Sequence, residues 1–515
     1  MFWPDRFADE IIQKKKEPFV IATGITPSGH IHVGNLREVL SAEGIHRALK
    51  DKGESPRFLY VADDFDPLRK VYPFLPEDFS RYVGMPLSKI PDPHGDCHKS
   101  YSEHFLSEFF ENLEILGIKV EKLSATKMYE QGKYTEVIKE ALKNSEKIRE
   151  ILEKISGRKI PRGWSPFRVL CGECGRMTAT TITKLFLDKN EVEYECECGN
   201  SGNADFSKGE GKLVWRVDWA ARWKMLGVNI EPYGKDHGTK GGSYDTAAAI
   251  SRDVFKYEPP FGFMFDFIYL KGKRGKMASS TGNLISASEI LSVVPPEIVR
   301  YIILKSKPQQ FIQFDPGEGL LQAVDEFVRL EEDQKKKKKI SEDQKRLYEI
   351  SEIKGDQEKV WVTFRHLVNV VQAAQGDFSE IVRILNRTGV KVSKEDRSLQ
   401  DEVNRVEKWL GEYAPENVKF EIQGKVPAEA KKLSDKQKEL LGKIAEELEK
   451  ESDPEKLHNF VYETGKSLGL SPGETFKPIY ISILGKDYGP KAGWFLVSLD
   501  KEFVIKRFKE ASCLI

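Results

Sequence analysis

The stretch from Pro18 to Asp66 constrains the fold more than any other part of the chain. Pro18–Gly24 (PFVIATG) is a short apolar run ending in glycine, the form of a strand buried on both faces. A glycine- and histidine-bearing loop follows, Pro27-Ser28-Gly29-His30-Ile31-His32-Val33-Gly34-Asn35. Leu36, Val39, Leu40, Ile45, Ala48 and Leu49 then recur at the spacing of one helix face. Arg57–Asp66 (RFLYVADDFD) is a second apolar run, closed by acids. Strand, loop, helix and strand in that order make the repeating unit of a parallel sheet. Asn229–Gly238 and Phe261–Leu270 read as further strands of the same sheet.

The loop between first strand and first helix is where open α/β sheets bind nucleotides. The helix N-terminus presents free N–H groups and a positive dipole end to phosphate. Gly29 and Gly34 let backbone approach a ligand closely, and His32 and Asn35 supply hydrogen-bond donors for phosphate oxygens. The predicted architecture is therefore an α/β, Rossmann-like nucleotide-binding domain in the N-terminal half. Residues 1–90 form its first half, 91–210 an insertion holding the Cys and His clusters, and 211–295 its second half. From 296 to 515 the texture is mainly helical: Phe364, Leu367, Val368 and Val371 keep helical spacing. Leu441, Ile444, Ala445 and Leu448 do the same after an N-cap at Ser434 or Asp435. The lysine run Lys335–Lys339 reads as a solvated face.

Composition narrows the function classes. Hydrophobic residues at 39% and charged residues at 31% suit folded cores. Lys+Arg and Asp+Glu are both 81, which excludes a protein that holds nucleic acid by bulk charge but leaves room for a local basic face. There is no run of about 18 apolar residues, and MFWPDRFADEIIQKKK lacks a signal-peptide core. The expected location is cytoplasmic.

Two signatures carry a resemblance. His32-Val33-Gly34-Asn35 resembles the His-Ile-Gly-His signature of class I aminoacyl-tRNA synthetases, with Asn35 in place of the second His. Lys276-Met277-Ala278-Ser279-Ser280 resembles their second signature, Lys-Met-Ser-Lys-Ser, and follows the last predicted strand; Ser279 replaces its second Lys. Over its whole length the chain is identified as a member of the archaeal-type class I lysyl-tRNA synthetases. That resemblance implies ATP-dependent joining of lysine to tRNA(Lys) through an aminoacyl-adenylate, with Mg2+ accompanying ATP. His32, Asn35 and Lys276 are its expected catalytic residues. Gly29, His30, His32, Gly34, Asn35, Asp236, His237, Lys276, Met277, Ser279 and Ser280 are its expected ATP contacts. Gly234-Lys235-Asp236-His237 is similar to the Gly-x-Asp-His element of the same class. A class I synthetase for another amino acid such as glutamate, and a non-catalytic tRNA-binding relative, are the alternatives.

A lysine side chain needs carboxylate acceptors and apolar or aromatic walls. Among the acids Asp63, Asp64 and Asp66 at the end of the second predicted strand, Asp64 is the chosen pocket residue. Trp215 and Asp218 of the tryptophan-rich stretch, Tyr269, and Thr23 with Gly24 complete the expected lysine pocket. Cys171-x2-Cys174 and Cys196-x-Cys198 flank a predicted hairpin and have the donor set of a structural tetrahedral Zn2+. His94, Cys97, His98 and His104 form a second expected zinc site, in which Asp92 or Asp96 supports the ligands or replaces His94. The helical half is expected to meet the anticodon arm of tRNA, with Trp361 or Trp494 as candidate base platforms.

Overall fold

The computed structural model describes residues 1–272, 284–353 and 362–514. They fall into two compact units. The first comprises Met1–Leu291, Pro296–Phe314 and Asp333–Lys354; the second comprises Ser292–Pro295, Asp315–Glu332 and Gly355–Ile515.

The first unit begins with α1 (Trp3–Lys14), whose Trp3, Phe7 and Ile11 are buried. It continues through β1 (Val20–Ile25), α2 (Val33–Asp51), β2 (Arg57–Ala62), α3 (Tyr101–Ile115) and β3 (Glu121–Ser124). Three helices follow, α4 (Ala125–Glu130), α5 (Thr135–Lys143) and α6 (Ser145–Ser156). The cysteine-bearing strands come next: β4 (Phe167–Val169), β5 (Thr180–Phe186), β6 (Glu191–Cys196), β7 (Ser201–Asp205) and β8 (Gly211–Leu213). The chain then returns through α7 (Trp215–Leu226), β9 (Ile230–Gly234), α8 (Ser243–Asp253), β10 (Phe261–Phe265) and β11 (Ile268–Leu270). After α9 (Ala287–Leu291) come α10 (Pro296–Lys305) and β12 (Ile312–Phe314).

The main sheet is parallel, in the order β10-β9-β1-β2-β3. β1 is central, and its first four residues are buried, as expected of a strand covered on both faces. The chain runs outward from β1 to β2 and β3, then returns to β9 on the other side of β1. The reversal of strand order therefore falls between β1 and β9, and crevices outside the carboxyl ends of strands at such a point are ligand sites. A Cβ on Gly24 would overlap the Val61 carbonyl oxygen, so β1 and β2 approach closely at their cleft ends.

Three expectations change. The sheet domain does not give way to the insertion at residue 91: β3 pairs with β2 through Leu59↔Glu121 to Ala62↔Ser124. β3 is a sheet edge with the charged sequence EKLS, which lacks the apolar signal of a buried strand. Phe261–Leu270 is not one strand. It breaks at Asp266, a buried acid that accepts from Lys235 Nζ at 2.6 Å, and β11 pairs instead with β12. The first unit also extends past residue 295. Arg37 of α2 is fully buried and donates to the carbonyls of Ile303, Lys307, Pro308 and Gln310 at 2.8–3.2 Å. Arg300 of α10, also fully buried, pairs with Glu43 of α2 at 2.7 Å. These contacts tie α10 and the turn into β12 to the nucleotide-binding half.

The second unit holds α11 (Glu318–Lys335, its first part), and α12 (Glu342–Ser351) belongs to the first. The second unit continues with α13 (Phe364–Ala373), α14 (Phe378–Arg387), α15 (Arg397–Glu412), α16 (Asp435–Leu448), α17 (Pro454–Ser467), α18 (Pro472–Leu484), α19 (Ala492–Ser498) and α20 (Lys501–Ser512). The spacing read in the sequence is the buried face of α13 and α16, and Ser434 is the N-cap of α16, closed by Gln437 as a capping box. Leu440, Ile444, Val461, Ile483, Phe495 and Phe508 meet in one core.

Removing Arg37 would leave four carbonyls without their donor, each buried acceptor costing about 1–3 kcal/mol. Arg37→Met is expected to lower the unfolding free energy by about 3 kcal/mol or more, read as a lower urea midpoint. A change below about 1 kcal/mol would mean that those carbonyls find other donors.

Candidate functional site

At the reversal point the structure opens a cleft of about 500 Å³. The loop after β1 forms one side. His32 is the N-cap of α2 in extended backbone, and its N–H donates to Asn35 Oδ1 at 3.1 Å. This accounts for an amide at the position where the signature has a second His: Asn35 closes the first turn of the helix with its oxygen, while its NH2 remains a donor group. The Tyr101 hydroxyl of α3 holds the loop by donating to the Ser28 carbonyl at 2.8 Å. From the other direction, the Val33 N–H donates to the Ile285 carbonyl at 3.0 Å, and His32 bridges Ser286. His30 is wedged edge-on against Phe105 at 5.2 Å, and burial lowers its pKa, so the ring is uncharged at neutral pH.

The structure brings Gly24, Gly29, His30, His32, Gly34, Asn35, Trp215, Asp236 and His237 to the cleft. Trp215 stacks on Trp219 at 5.2 Å, and its ring lies 5.1 Å from that of His237. Lys276, Met277, Ser279 and Ser280 lie outside the described residues, as does Trp361.

Four expected lysine contacts stand elsewhere. Asp64 faces away: its carboxylate accepts from the Thr126 N–H at 2.8 Å, the Thr126 hydroxyl at 2.9 Å and the Ser124 hydroxyl, fastening the start of α4. Its neighbour Asp63 lines the cleft instead. Asp218 is wholly buried, between the Tyr129 hydroxyl, Arg222 at 2.7 Å and Lys212 at 3.5 Å. Thr23 is buried, with its hydroxyl toward the Leu59 carbonyl at 3.5 Å. Tyr269 packs edge-on to Phe311 at 5.8 Å on β11 and does not line the cleft.

The principal residue missed by sequence reasoning is Glu38. It lies on the helix surface near Asn35, at the i+3 spacing that could have identified it. Its Oε1 accepts from the Gly24 N–H at 3.0 Å at the cleft. Burial pushes its carboxyl up to about 8, opposed by that N–H and reinforced by Glu231, Asp236 and Asp63. Glu231 on β9 takes hydrogen bonds from the indole N–H groups of Trp219 and Trp223, and burial raises it to about 7. Burial also raises Asp63, although Arg222 and Lys212 oppose the shift. Among the described residues lining the cleft, Glu38, Asp63 and Asp236 are carboxylates, and Arg69 carries the fixed positive charge. The site favours added positive charge.

Two donor clusters lie outside the cleft lining. Cys171, Cys174, Cys196 and Cys198 place their sulfurs within 4.8 Å of one another. Cys171···Cys198 and Cys174···Cys196 are both 3.7 Å. A disulfide needs about 2.05 Å, whereas a tetrahedron with Zn–S bonds of about 2.3 Å has edges of about 3.8 Å. The set fits a tetrahedral ion. β5 and β6 form the expected hairpin between the two cysteine pairs, joined by β7. In the second cluster the converging donors are Asp92, Cys97, His98 and His104. Cys97 Sγ lies 3.1 Å from His98 Nδ1 and 3.3 Å from His104 Nδ1, and His104 Nδ1 lies 3.2 Å from Asp92. His94 is outside this set; its backbone N–H donates to Asp92, so the loop turn itself aims the carboxylate inward.

The family model "tRNA synthetases class I (K)" matches residues 1–354, and "Anticodon binding domain" matches residues 409–512. The chain is 46% identical to Lysine--tRNA ligase 1 of Methanosarcina acetivorans, over 99% of this chain and 98% of that protein. It is 47% identical to Lysine--tRNA ligase of Archaeoglobus fulgidus, over 99% of this chain and 100% of that protein. Among solved structures, a glutamate tRNA ligase from Elizabethkingia meningosepticum aligns over 97% of this chain and 100% of its own. Its sequence identity is 14% and its TM-score 0.43.

A carboxyl whose pKa is raised on folding binds its proton more tightly in the folded state, so stability falls as pH rises from the unfolded to the folded value. For Glu38 that window runs from 4.5 to about 8. Glu38→Gln is expected to flatten the fall in melting temperature between pH 5 and pH 8. A fall as steep as the parent's would show that Glu38 titrates in the ordinary carboxylate range.

Proposed function

The chain belongs to the class I (K) tRNA synthetases, and from that premise we propose that it is a lysine–tRNA ligase, joining lysine to tRNA(Lys) through lysyl-adenylate. The observation that carries the amino acid assignment is the acid excess of the cleft. Asp63 and Asp236 suit an ammonium, which would also draw the proton from Glu38, and a pocket for the glutamate side chain would need the opposite sign. Trp215 and His237 supply the flat wall along which an alkyl chain lies.

In the proposed reaction the lysine carboxylate attacks the α-phosphate of ATP in line, and pyrophosphate leaves. No covalent protein intermediate is needed, so catalysis rests on position and on charge stabilisation. His32, the Asn35 amide and the N-terminus of α2 receive the phosphates. Lys276 meets the leaving pyrophosphate, with Mg2+ brought by ATP. Gly29, His30 and Gly34 shape the loop, and Asp236 and His237 face the adenosine and the amino acid. The terminal ribose of tRNA then takes the lysyl group. The second unit is assigned to the anticodon arm.

Both donor clusters are assigned to structural Zn2+: Cys171, Cys174, Cys196 and Cys198 at one, and Asp92, Cys97, His98 and His104 at the other. Each fastens a loop and contributes nothing to phosphoryl chemistry. Among the described residues no helix is long and apolar enough to cross a membrane, and the proposed location is cytoplasmic.

The purified chain is expected to charge tRNA with radiolabelled lysine and not with glutamate. His32→Ala should reduce lysine charging at least about a hundredfold with an unchanged melting curve. Glutamate charging would overturn the amino acid assignment, and an undiminished His32→Ala rate would overturn the site. Elemental analysis is expected to give two zinc ions per chain. Cys174→Ser should lose one of them and lower the melting temperature; a metal-free protein of full stability would sink the zinc assignment.

A further inference from the structure

The second donor cluster ends where the grip on the loop after β1 begins. Asp92, Cys97 and His98 come from residues 91–100, which lie outside every helix and strand described. His104 comes from the start of α3, where Ser100 is the N-cap and accepts from the Glu103 N–H. The residues around His104 hold the loop. Tyr101, fully buried, donates its hydroxyl to the Ser28 carbonyl at 2.8 Å, and its ring meets Phe105 at 5.0 Å. Phe105 in turn stands edge-on to His30 at 5.2 Å and edge-on to His104 at 4.9 Å. Rings in contact therefore lead from a donor of the cluster to the loop. His94, which is not a donor, flanks them, 4.9 Å from His104 and 6.3 Å from His30.

The same helix braces the loop a second way. About three turns beyond Tyr101, the Asn112 amide and the Ser288 hydroxyl of α9 exchange hydrogen bonds at 2.8 and 3.1 Å. Ser286, just before α9, bridges His32, and the Ala287 N–H donates to the Ile31 carbonyl at 3.3 Å. What anchors the start of α3 thus bears on Ser28, His30 and His32 together. That anchor is an irregular segment wound around one acid. Asp92 accepts from the His94 N–H at 2.8 Å, the His98 N–H at 2.7 Å and the Cys97 thiol at 2.9 Å. An ion bonded to all four donors would tie this segment to α3 far more firmly than thiol and imidazole contacts do.

We propose that the Asp92–Cys97–His98–His104 site tunes ATP binding: its ion fixes the start of α3, and Tyr101 and Phe105 pass that constraint to Ser28 and His30. They are positioning residues, and the ion takes no part in the phosphoryl step. The proposal rests on the reading of the chain as an ATP-dependent ligase and deepens it.

The test reads zinc rather than turnover. If the ion raises the affinity for ATP, ATP must raise the affinity for the ion by the same factor. The full chain is equilibrated with a zinc chelator, with and without MgATP, lysine and tRNA being absent. ATP is expected to raise about tenfold the chelator needed to remove one of the two ions and to leave the other unchanged. MgGTP, whose phosphates bind free metal equally, should shift neither. Cys97→Ala should lose the responsive ion and bind ATP about tenfold more weakly; in charging, its KM for ATP rises while kcat stays within about threefold. Cys174→Ser, lacking the other ion, should keep the parental ATP affinity. Tyr101→Phe should keep both ions and weaken ATP binding several-fold. Melting curves report folding, and should Cys97→Ala fail to fold, the parent's chelator curves and Tyr101→Phe decide. A parent with one ion, ATP protecting both ions alike or neither, or Cys174→Ser weakening ATP binding as much as Cys97→Ala would overturn the proposal. A parent that shows the coupling yet never charges tRNA with lysine would refute the ligase reading and leave the coupling established.

Discussion

Five buried charges hold the nucleotide-binding half together. Asp63 and Asp66 follow β2, Lys212 sits on β8, and Asp218 and Arg222 lie on α7; none is more than 5% exposed. Lys212 reaches Asp66 at 2.6 Å, and Arg222 clamps Asp63 and Asp218. Charges removed from water in this way are tolerated only when each has its partners, and deleting one leaves another buried and alone. The network therefore requires two distant stretches of chain, the end of β2 and the passage from β8 into α7, to arrive together. It fixes where the inserted strands end and where the returning helix begins. It is also unbalanced: three carboxylates face two cations. Asp63 borders the cleft, and burial raises its pKa against the pull of Arg222 and Lys212.

Two more acids lie at and behind the cleft, Glu38 in its lining and Glu231 on β9. Glu231 is sheathed by two indole N–H groups, and Glu38 is capped by one backbone N–H. Neither meets a full positive charge at hydrogen-bond distance in these contacts, and both hold their protons more tightly than a free carboxyl does. The tryptophans at 215, 219 and 223 thus serve two purposes at one helical spacing. Trp215 faces the cleft, and the next two support the acid behind it.

Much of this was legible because it depended on local pattern. The apolar runs of β1 and β2, the phosphate-facing loop and the four clustered cysteines each carry their signal within a few residues. What escaped depended on tertiary context. Asp63 and Asp64 are adjacent, and strand alternation sends neighbours to opposite sides; only the folded sheet says which one meets the cleft. β3 is charged because it is an edge. Arg37 and Arg300 look like solvent-facing positions and are instead fully buried anchors, which moved the boundary of the first unit. The sequence left Asp92 or Asp96 open as a replacement for His94, and only the turn of the loop, which aims the Asp92 carboxylate inward, chooses between them.

The sheet topology also bears on how the molecule assembles. β1 is among the first strands made, yet the contact that completes its second edge lies 209 residues downstream, where Asn229 meets Val20 at the entry to β9. Until that segment emerges from the ribosome, the central strand has one open flank of unpaired N–H and C=O groups, the kind of edge that recruits other chains. The intervening residues include short-range helices and two clusters of thiols, imidazoles and a carboxylate that close on themselves over short loops. The sheet is thus begun early and finished late, and the inserted segments have time to fold before the cleft they border exists.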